Sequence, residues 1–241
     1  MTIAGKTILV TGANRGIGQA LVTEALNRGA DRVYAGTRQP LNHPDPRVTP
    51  LSLDITSTAQ AQAAAANVGS LDLLINNAGL AFYDDLTDPA ALEQHLAVNL
   101  YGTHRVTQAF LPQLTRSGGT IINVLSDTAL AALPLIPAYS ISKAAAFSLT
   151  QSLRALLAPR GIRVHAVIAG PVDTDMSRNL NAPKASPASV ARAILDAVDK
   201  QEDDIFPDPA AQALAHGWHN SPAKALERRN AALVAAEFAK A

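Results

Sequence analysis

Ile8-Leu9-Val10-Thr11-Gly12-Ala13-Asn14-Arg15-Gly16-Ile17-Gly18 opens on three apolar residues, two of them β-branched. Such a run suits a buried strand. Thr11 and Gly12 break it. Gly12, Gly16 and Gly18 then crowd the turn where a helix should begin, and Gln19–Leu26 continues as an amphipathic helix. Without side chains, glycines let backbone N–H groups and a helix N-terminus come close to a pyrophosphate. The spacing is Gly-x-x-x-Gly-x-Gly, not the Gly-x-Gly-x-x-Gly of the usual dinucleotide fingerprint.

Strand and helix patterns alternate outward from this turn. Arg32–Gly36 reads as a second strand and Val48–Leu53 as a third, weakened by Pro50. Ser57–Val68 is an alanine-rich helix that Ser57 or Thr58 can cap. Leu71–Ile75 is a fourth strand, Pro89–Leu114 a long helical region and Thr120–Leu125 a fifth strand. Tyr139–Ala158 is a second long helix, Arg163–Ile168 a sixth strand, Pro187–Asp199 a helix and Asp204–Phe206 a short last strand. The pattern predicts an α/β fold, a doubly wound parallel sheet of about seven strands between two helical layers. One domain over 1–241 is expected, with a substrate loop at about 172–186 and a helical tail over about 207–241.

Composition narrows the possible functions. Twenty basic residues balance twenty acidic ones, so no charge excess points to nucleic acid or an anionic membrane. The chain has no cysteine, which excludes disulfides and a cysteine nucleophile and fits a cytoplasmic location. No basic segment followed by a long apolar run opens the chain, so no secretory leader is expected. No apolar stretch is long enough to span a bilayer. His216 and His219 lack a third ligand nearby, so no metal is expected. Arg228 and Arg229 read as a solvated face.

The chemistry-bearing residues fall where strands end, which is where parallel sheets bind ligands. Asn76-Asn77-Ala78-Gly79 follows strand four, Ser126 follows strand five and Asn99 lies in the long helix. Tyr139 and Lys143 open the next helix, one turn apart and so on one face. Ala169-Gly170-Pro171-Val172-Asp173-Thr174 follows strand six.

These residues, in order and spacing, resemble the short-chain dehydrogenase/reductase family over about residues 3–200. The resemblance implies catalysis by Ser126, Tyr139 and Lys143, with Asn99 holding water in a proton relay. It also implies a nicotinamide-cofactor set: Gly12, Asn14, Arg15, Gly16, Ile17, Gly18, Thr37, Arg38, Asp54, Ile55, Asn77, Ala78, Gly79, Tyr139, Lys143, Gly170, Pro171, Val172 and Thr174. Within that set, Asp54 implies an adenine contact and Thr174 a contact to the nicotinamide carboxamide. One position departs from the family pattern: Ala169 stands where proline is usual before Gly170.

Reduction of a ketone needs hydride on carbon and a proton on oxygen. A tyrosine titrating near ~10 needs help at neutral pH. A lysine one turn away is expected to lower it, with Ser126 stabilising the substrate oxygen. Gly36-Thr37-Arg38 carries no acid for ribose hydroxyls, while Arg38 and Arg15 suit a 2′-phosphate, so the expected cofactor is NADP(H). Phe82, Leu130, Leu133, Leu135, Ile136, Val172, Met176 and Leu180 predict an apolar pocket for a small hydrophobic carbonyl or alcohol. The alternatives are a non-catalytic NADP(H) sensor and an NAD-dependent alcohol dehydrogenase. Sensing does not require Ser126 or the Tyr139 acid. An epimerase or dehydratase is disfavoured by the glycine spacing and the short chain. The family's pairing of two long helices across a symmetry axis implies a homo-oligomer, a tetramer first and a dimer next.

Overall fold

The computed structural model describes residues 2–238. Seven parallel strands form one sheet: β1 (Thr7–Thr11), β2 (Arg32–Thr37), β3 (Val48–Ser52), β4 (Leu73–Asn76), β5 (Thr120–Val124), β6 (Arg163–Val167) and β7 (Asp204–Ile205). Their order across the sheet is β3-β2-β1-β4-β5-β6-β7. The chain runs outward from β1 to β3, then returns to place β4 on the other side of β1. This reversal opens a crevice at the carboxyl ends of β1 and β4.

The apolar run of β1 feeds both faces because strand side chains alternate. Ile8 and Val10 face one core, with Leu21, Val22 and Ala25 of α1 (Gly16–Asn27) and Val190 and Ile194 of α6 (Pro187–Asp199). Leu9 faces the other. There it meets Ala61 and Ala64 of α2 (Thr58–Ala66), Phe110 and Leu114 of α4 (Thr103–Ser117) and Leu153 of α5 (Pro137–Leu157). The sheet is thus the middle of three layers. β3 is its edge, which is where a strand can hold Pro50, paired with Ala35. Ser57 caps α2, accepting from the Gln60 N–H.

The helical region expected over Pro89–Leu114 is present but is not α-helical throughout. α3 (Pro89–Leu96) gives way to a π-helical turn, Ala97–Gly102, before α4. Asn99 sits in that turn, and the Thr103 hydroxyl donates to its carbonyl at 3.0 Å. Gly102 packs tightly there: a Cβ would lie 2.7 Å from Ile55 Cδ1, so the Ile55 side chain would have to move.

The tail forms α7 (Pro209–His219) and α8 (Pro222–Phe238). Both are fixed to the sheet by buried charge. Asp204, with a fully buried side chain, pairs with Arg154 and Lys224, each at 2.7 Å. Trp218 Nε1 donates to Asp204 at 2.7 Å, and Glu227 pairs with Arg154 and Lys224. Burial pushes the Asp204 carboxyl up, but the Arg154 charge and the Lys224 and Trp218 hydrogen bonds more than reverse it. Arg228 and Arg229 are exposed. Among the described residues, no helix is long and apolar enough to cross a membrane.

Candidate active site

The glycine turn is built for close approach. Gly12 and Gly16 have φ of +66° and +54°. A Cβ on Gly18 would lie 2.1 Å from the Gly12 carbonyl oxygen, so only glycine lets α1 start this near β1. The N-cap of α1 is Arg15, and no side chain caps the helix. Its first N–H groups are therefore left for an anion. This cradle fits a pyrophosphate.

The segment after β4 locks onto this turn. Thr11 Oγ1 accepts from the N–H groups of Asn77 and Ala78, both at 3.0 Å. Asn77 Nδ2 donates to the carbonyls of Thr11 at 3.0 Å and Gly12 at 3.3 Å. Beneath them, Asn76 Nδ2 donates to Asn123 and Thr107 in the core. Gly79 completes the segment; a Cβ there would meet Asn99 Oδ1 at 3.3 Å and Lys143 Nζ at 3.7 Å.

Ser126, Tyr139, Lys143 and Asn99 are all buried. Pro137 starts α5 in the position where a missing N–H costs nothing, and the Asp84 carboxylate accepts from the Ala138 N–H. This fixes the first turn that carries Tyr139. Burial pushes the Tyr139 phenol up to about 12; a hydrogen bond with Ser126 opposes this, and the Asp127 charge reinforces it. Lys143 Nζ donates to the Val124 carbonyl at 2.9 Å and lies 5.7 Å from the Tyr139 ring centre. Burial lowers the Lys143 amine to about 8. The expectation that Lys143 lowers the phenol is not met in this geometry. The amine is turned to a backbone carbonyl, and burial favours its neutral form.

Asn99 is a clamp. Its Oδ1 accepts from the Leu80 N–H at 2.8 Å, and its Nδ2 donates to Leu80 O at 2.9 Å and Ser142 Oγ at 2.8 Å. Its side chain thus ties the segment after Gly79 to α5.

Ser126 is more contested than the sequence reveals. Its Oγ accepts from Thr128 N at 3.2 Å and Thr128 Oγ1 at 3.0 Å, and donates to Asp127 Oδ1 at 3.0 Å. One hydroxyl proton is therefore wanted by the carboxylate and by the Tyr139 oxygen alike.

The remaining candidates divide. Thr37 is buried and donates to Gln39 O at 2.6 Å. Arg38 is exposed at the end of β2, with no hydrogen bond or ion pair among the described residues, and its charge helps lower Asp54. Asp54 accepts from Thr56 N and Oγ1 in a local turn, and Ile55 is buried against the π turn. Asn14 is exposed and Ile17 packs on the core edge. Arg15 reaches Asp175 at 3.1 Å, and Arg178 joins the same carboxylate.

Pro171–Thr174 is held by Ala185, whose N–H donates to Pro171 O at 2.9 Å and whose carbonyl accepts from Asp173 N at 2.9 Å. Val172 belongs to the core rather than to a pocket wall. Leu133, Leu135 and Met176 are exposed, Leu130 packs toward Leu125 and Phe147, and Phe82 lies on His95. Core, half-buried and exposed positions are thus mixed among the eight apolar residues. A groove of about 730 Å³ runs between α1 and α6, lined by Gly16, Thr174, Arg178 and Arg192 and reaching neither Ser126 nor Tyr139.

Two residues escaped sequence reading. Asp208, 2% exposed, accepts the Gly170 N–H at 2.8 Å while capping α7 through Ala211 N at 3.0 Å. It holds the backbone just where Ala169 replaces the family's proline. His95, one turn before Asn99, is fully buried; its Nδ1 lies 2.7 Å from Ala91 O and its Nε2 has no partner.

A family profile described as short chain dehydrogenase matches residues 6–185. A short chain dehydrogenase of Monascus purpureus is 35% identical over 198 residues, 73% of this chain and 68% of that protein. The 2-(S)-hydroxypropyl-CoM dehydrogenase 3 of Xanthobacter autotrophicus is 33% identical over 80% of this chain and 82% of that one. Among solved structures, a Burkholderia cenocepacia short chain dehydrogenase in complex with NADP superposes with a TM-score of 0.88. It is 42% identical, covering 95% of this chain and 98% of that one. Sequence, sheet order and superposition agree, and the chain belongs to the short-chain dehydrogenase family.

Proposed function

We propose that this protein is an NADP(H)-dependent oxidoreductase that reduces a ketone or aldehyde to an alcohol and runs in reverse, with Tyr139 as the proton donor and acceptor. The observation that carries this is the buried group of Ser126, Tyr139 and Lys143 beside the glycine turn. The nicotinamide, when bound, supplies or takes the hydride. Tyr139, pushed up to about 12, keeps its proton at neutral pH and so stands ready as the acid of reduction. Ser126 donates to the carbonyl oxygen as charge develops there. Lys143 has three donors and spends one on Val124 O, which leaves two for ribose hydroxyls and the Tyr139 oxygen. Asn99 holds the wall opposite through Leu80 and Ser142.

The phosphate-bearing cofactor is favoured by Arg38, an exposed guanidinium at the end of β2 without an ion pair among the described residues, with no carboxylate in Gly36-Thr37-Arg38. The NADP complex of the Burkholderia protein supports the same choice. The loop 172–186 is the substrate loop of this reading. Exposed Tyr101, Ile141 and Leu156 on the π turn and α5 support pairing of these helices with a second copy. The test is consumption of NADPH against aryl, alkyl and cyclic ketones. Turnover of at least one ketone, faster with NADPH than NADH, is expected. NADPH binding without turnover of any would favour the sensor.

A further inference from the structure

The reading of Tyr139 and Ser126 as acid and oxyanion donor leaves one group unaccounted for. Asp127 is half-buried beside both, and its only side-chain partner among the described residues is Ser126 Oγ at 3.0 Å. No lysine, arginine or histidine pairs with it there.

Ser126 has a single proton. Both N–H and hydroxyl of Thr128 already donate to its oxygen, so the proton is free to go elsewhere, and it goes to Asp127. To bind a carbonyl oxygen, Ser126 must take that proton away from Asp127. A plain ketone then leaves the half-buried Asp127 carboxylate without a side-chain donor. A hydrogen bond to a charged acceptor is worth more than one to a neutral carbonyl, so the exchange alone is unfavourable.

A substrate that brings its own donor restores the balance. A hydroxyl or amine on the carbon next to the carbonyl lies about one hydrogen-bond length, roughly 3 Å, from the carbonyl oxygen. That is the separation of Ser126 Oγ and Asp127 Oδ1. The two protein atoms and the two substrate atoms therefore match as a pair.

A second, independent observation has the same sign. His95 Nδ1 donates to the Ala91 carbonyl at 2.7 Å, so in the neutral ring Nε2 carries a bare lone pair. That atom is buried without a partner, in a ring packed 4.2 Å from Phe82 and 6.2 Å from Tyr139, centre to centre. Two acceptors without a cationic partner among the described residues, Asp127 and His95 Nε2, therefore stand near Tyr139. Apolar lining residues alone point to a hydrophobic ketone; the polar balance points elsewhere.

We propose that the substrate is a carbonyl compound bearing a hydroxyl or amine on the adjacent carbon, and that the Asp127 carboxylate accepts a hydrogen bond from it. This rests on the reductase reading above. Asp127 thus acts in selecting the substrate and in releasing Ser126 for the carbonyl.

The test compares matched ketones by the rate of NADPH consumption. The aryl set is acetophenone, α-hydroxyacetophenone and α-methoxyacetophenone; the alkyl set is butanone, hydroxyacetone and methoxyacetone. The methoxy compounds keep the α-oxygen but cannot donate, and their extra methyl is common to parent and variants. In the parent protein, kcat/KM for hydroxyl over methoxy is expected to be roughly ten- to hundred-fold, the scale of a hydrogen bond to a charged group. Asp127→Ala should bring that ratio near one. Asp127→Asn should leave it in between, because an amide oxygen still accepts. Ratios within one variant cancel any general loss of catalysis. A parent ratio near one, or a ratio that Asp127→Ala leaves in place, overturns this inference and spares the reductase reading. Bound NADPH with no turnover across both sets overturns both.

Discussion

Arg38 and Arg15 look alike in sequence, two cations near one phosphate site, yet they stand in different company. Arg15 is committed to Asp175, whereas Arg38 has no ion-pair partner among the described residues. The 2′-phosphate is therefore assigned to Arg38 first. Arg38→Ala should weaken NADPH binding roughly ten- to hundred-fold and leave NADH binding nearly unchanged, since a charge-assisted contact contributes about 1.5–3 kcal/mol. Titrating both cofactors against parent and variant measures this; equal losses for the two would remove Arg38 from the phosphate site. At this scale the sequence was legible where a pattern exists. Tyr139 and Lys143 announce themselves by a helical turn, and the glycines by their spacing. Asp127 and His95 do not. A lone acid after a serine and a lone histidine on a helix carry no periodicity, and their meaning comes only from which hydrogen-bonding capacity remains unfilled.

Elements were legible as far as hydrophobic period reports them. All seven strands lie within a few residues of their expected bounds, because buried apolar runs are short and clear. The π turn at Ala97–Gly102 was hidden, since its apolar residues still follow a helical rhythm across the break. The contact from the start of α7 to the end of β6 was also hidden, because thirty-eight residues separate Gly170 from Asp208. That contact carries a prediction. Asp208→Ala removes both the α7 cap and the acceptor for Gly170 N–H, so Gly170–Thr174 should lose its fixed path. NADPH affinity should fall about fivefold, the scale of one net hydrogen bond of about 1 kcal/mol. Asp208→Asn should recover most of it. Ala169→Pro in the Asp208→Ala background should recover part of it, by restoring rigidity through the ring rather than the carboxylate. A lower melting temperature with unchanged NADPH affinity in Asp208→Ala would assign the residue to α7 alone.

At the scale of the whole molecule, the sheet order brings every catalytic candidate to one end of β1, β4, β5 and β6, and the tail braces the far edge through Asp204. The doubly wound sheet was legible from alternation alone. The bracing was not, because Arg154, Asp204, Lys224 and Glu227 are ordinary surface residues until the fold buries them together. α8 covers part of α5 through Gln151 and Arg154, yet Ile141 and Leu156 remain exposed on the same helix. A homo-oligomer, tetramer before dimer, is the expected state, and light scattering at micromolar concentration should return a multiple of 25.1 kDa. A monomeric mass would place those apolar residues at no interface between copies. The most direct single measurement is NADPH turnover by Tyr139→Phe on the best ketone, with NADPH affinity measured on the same sample. The expected result is loss of turnover with affinity within a few-fold of the parent, because only the transferable proton is gone. Turnover at the parent rate would contradict the assignment of Tyr139 as the acid.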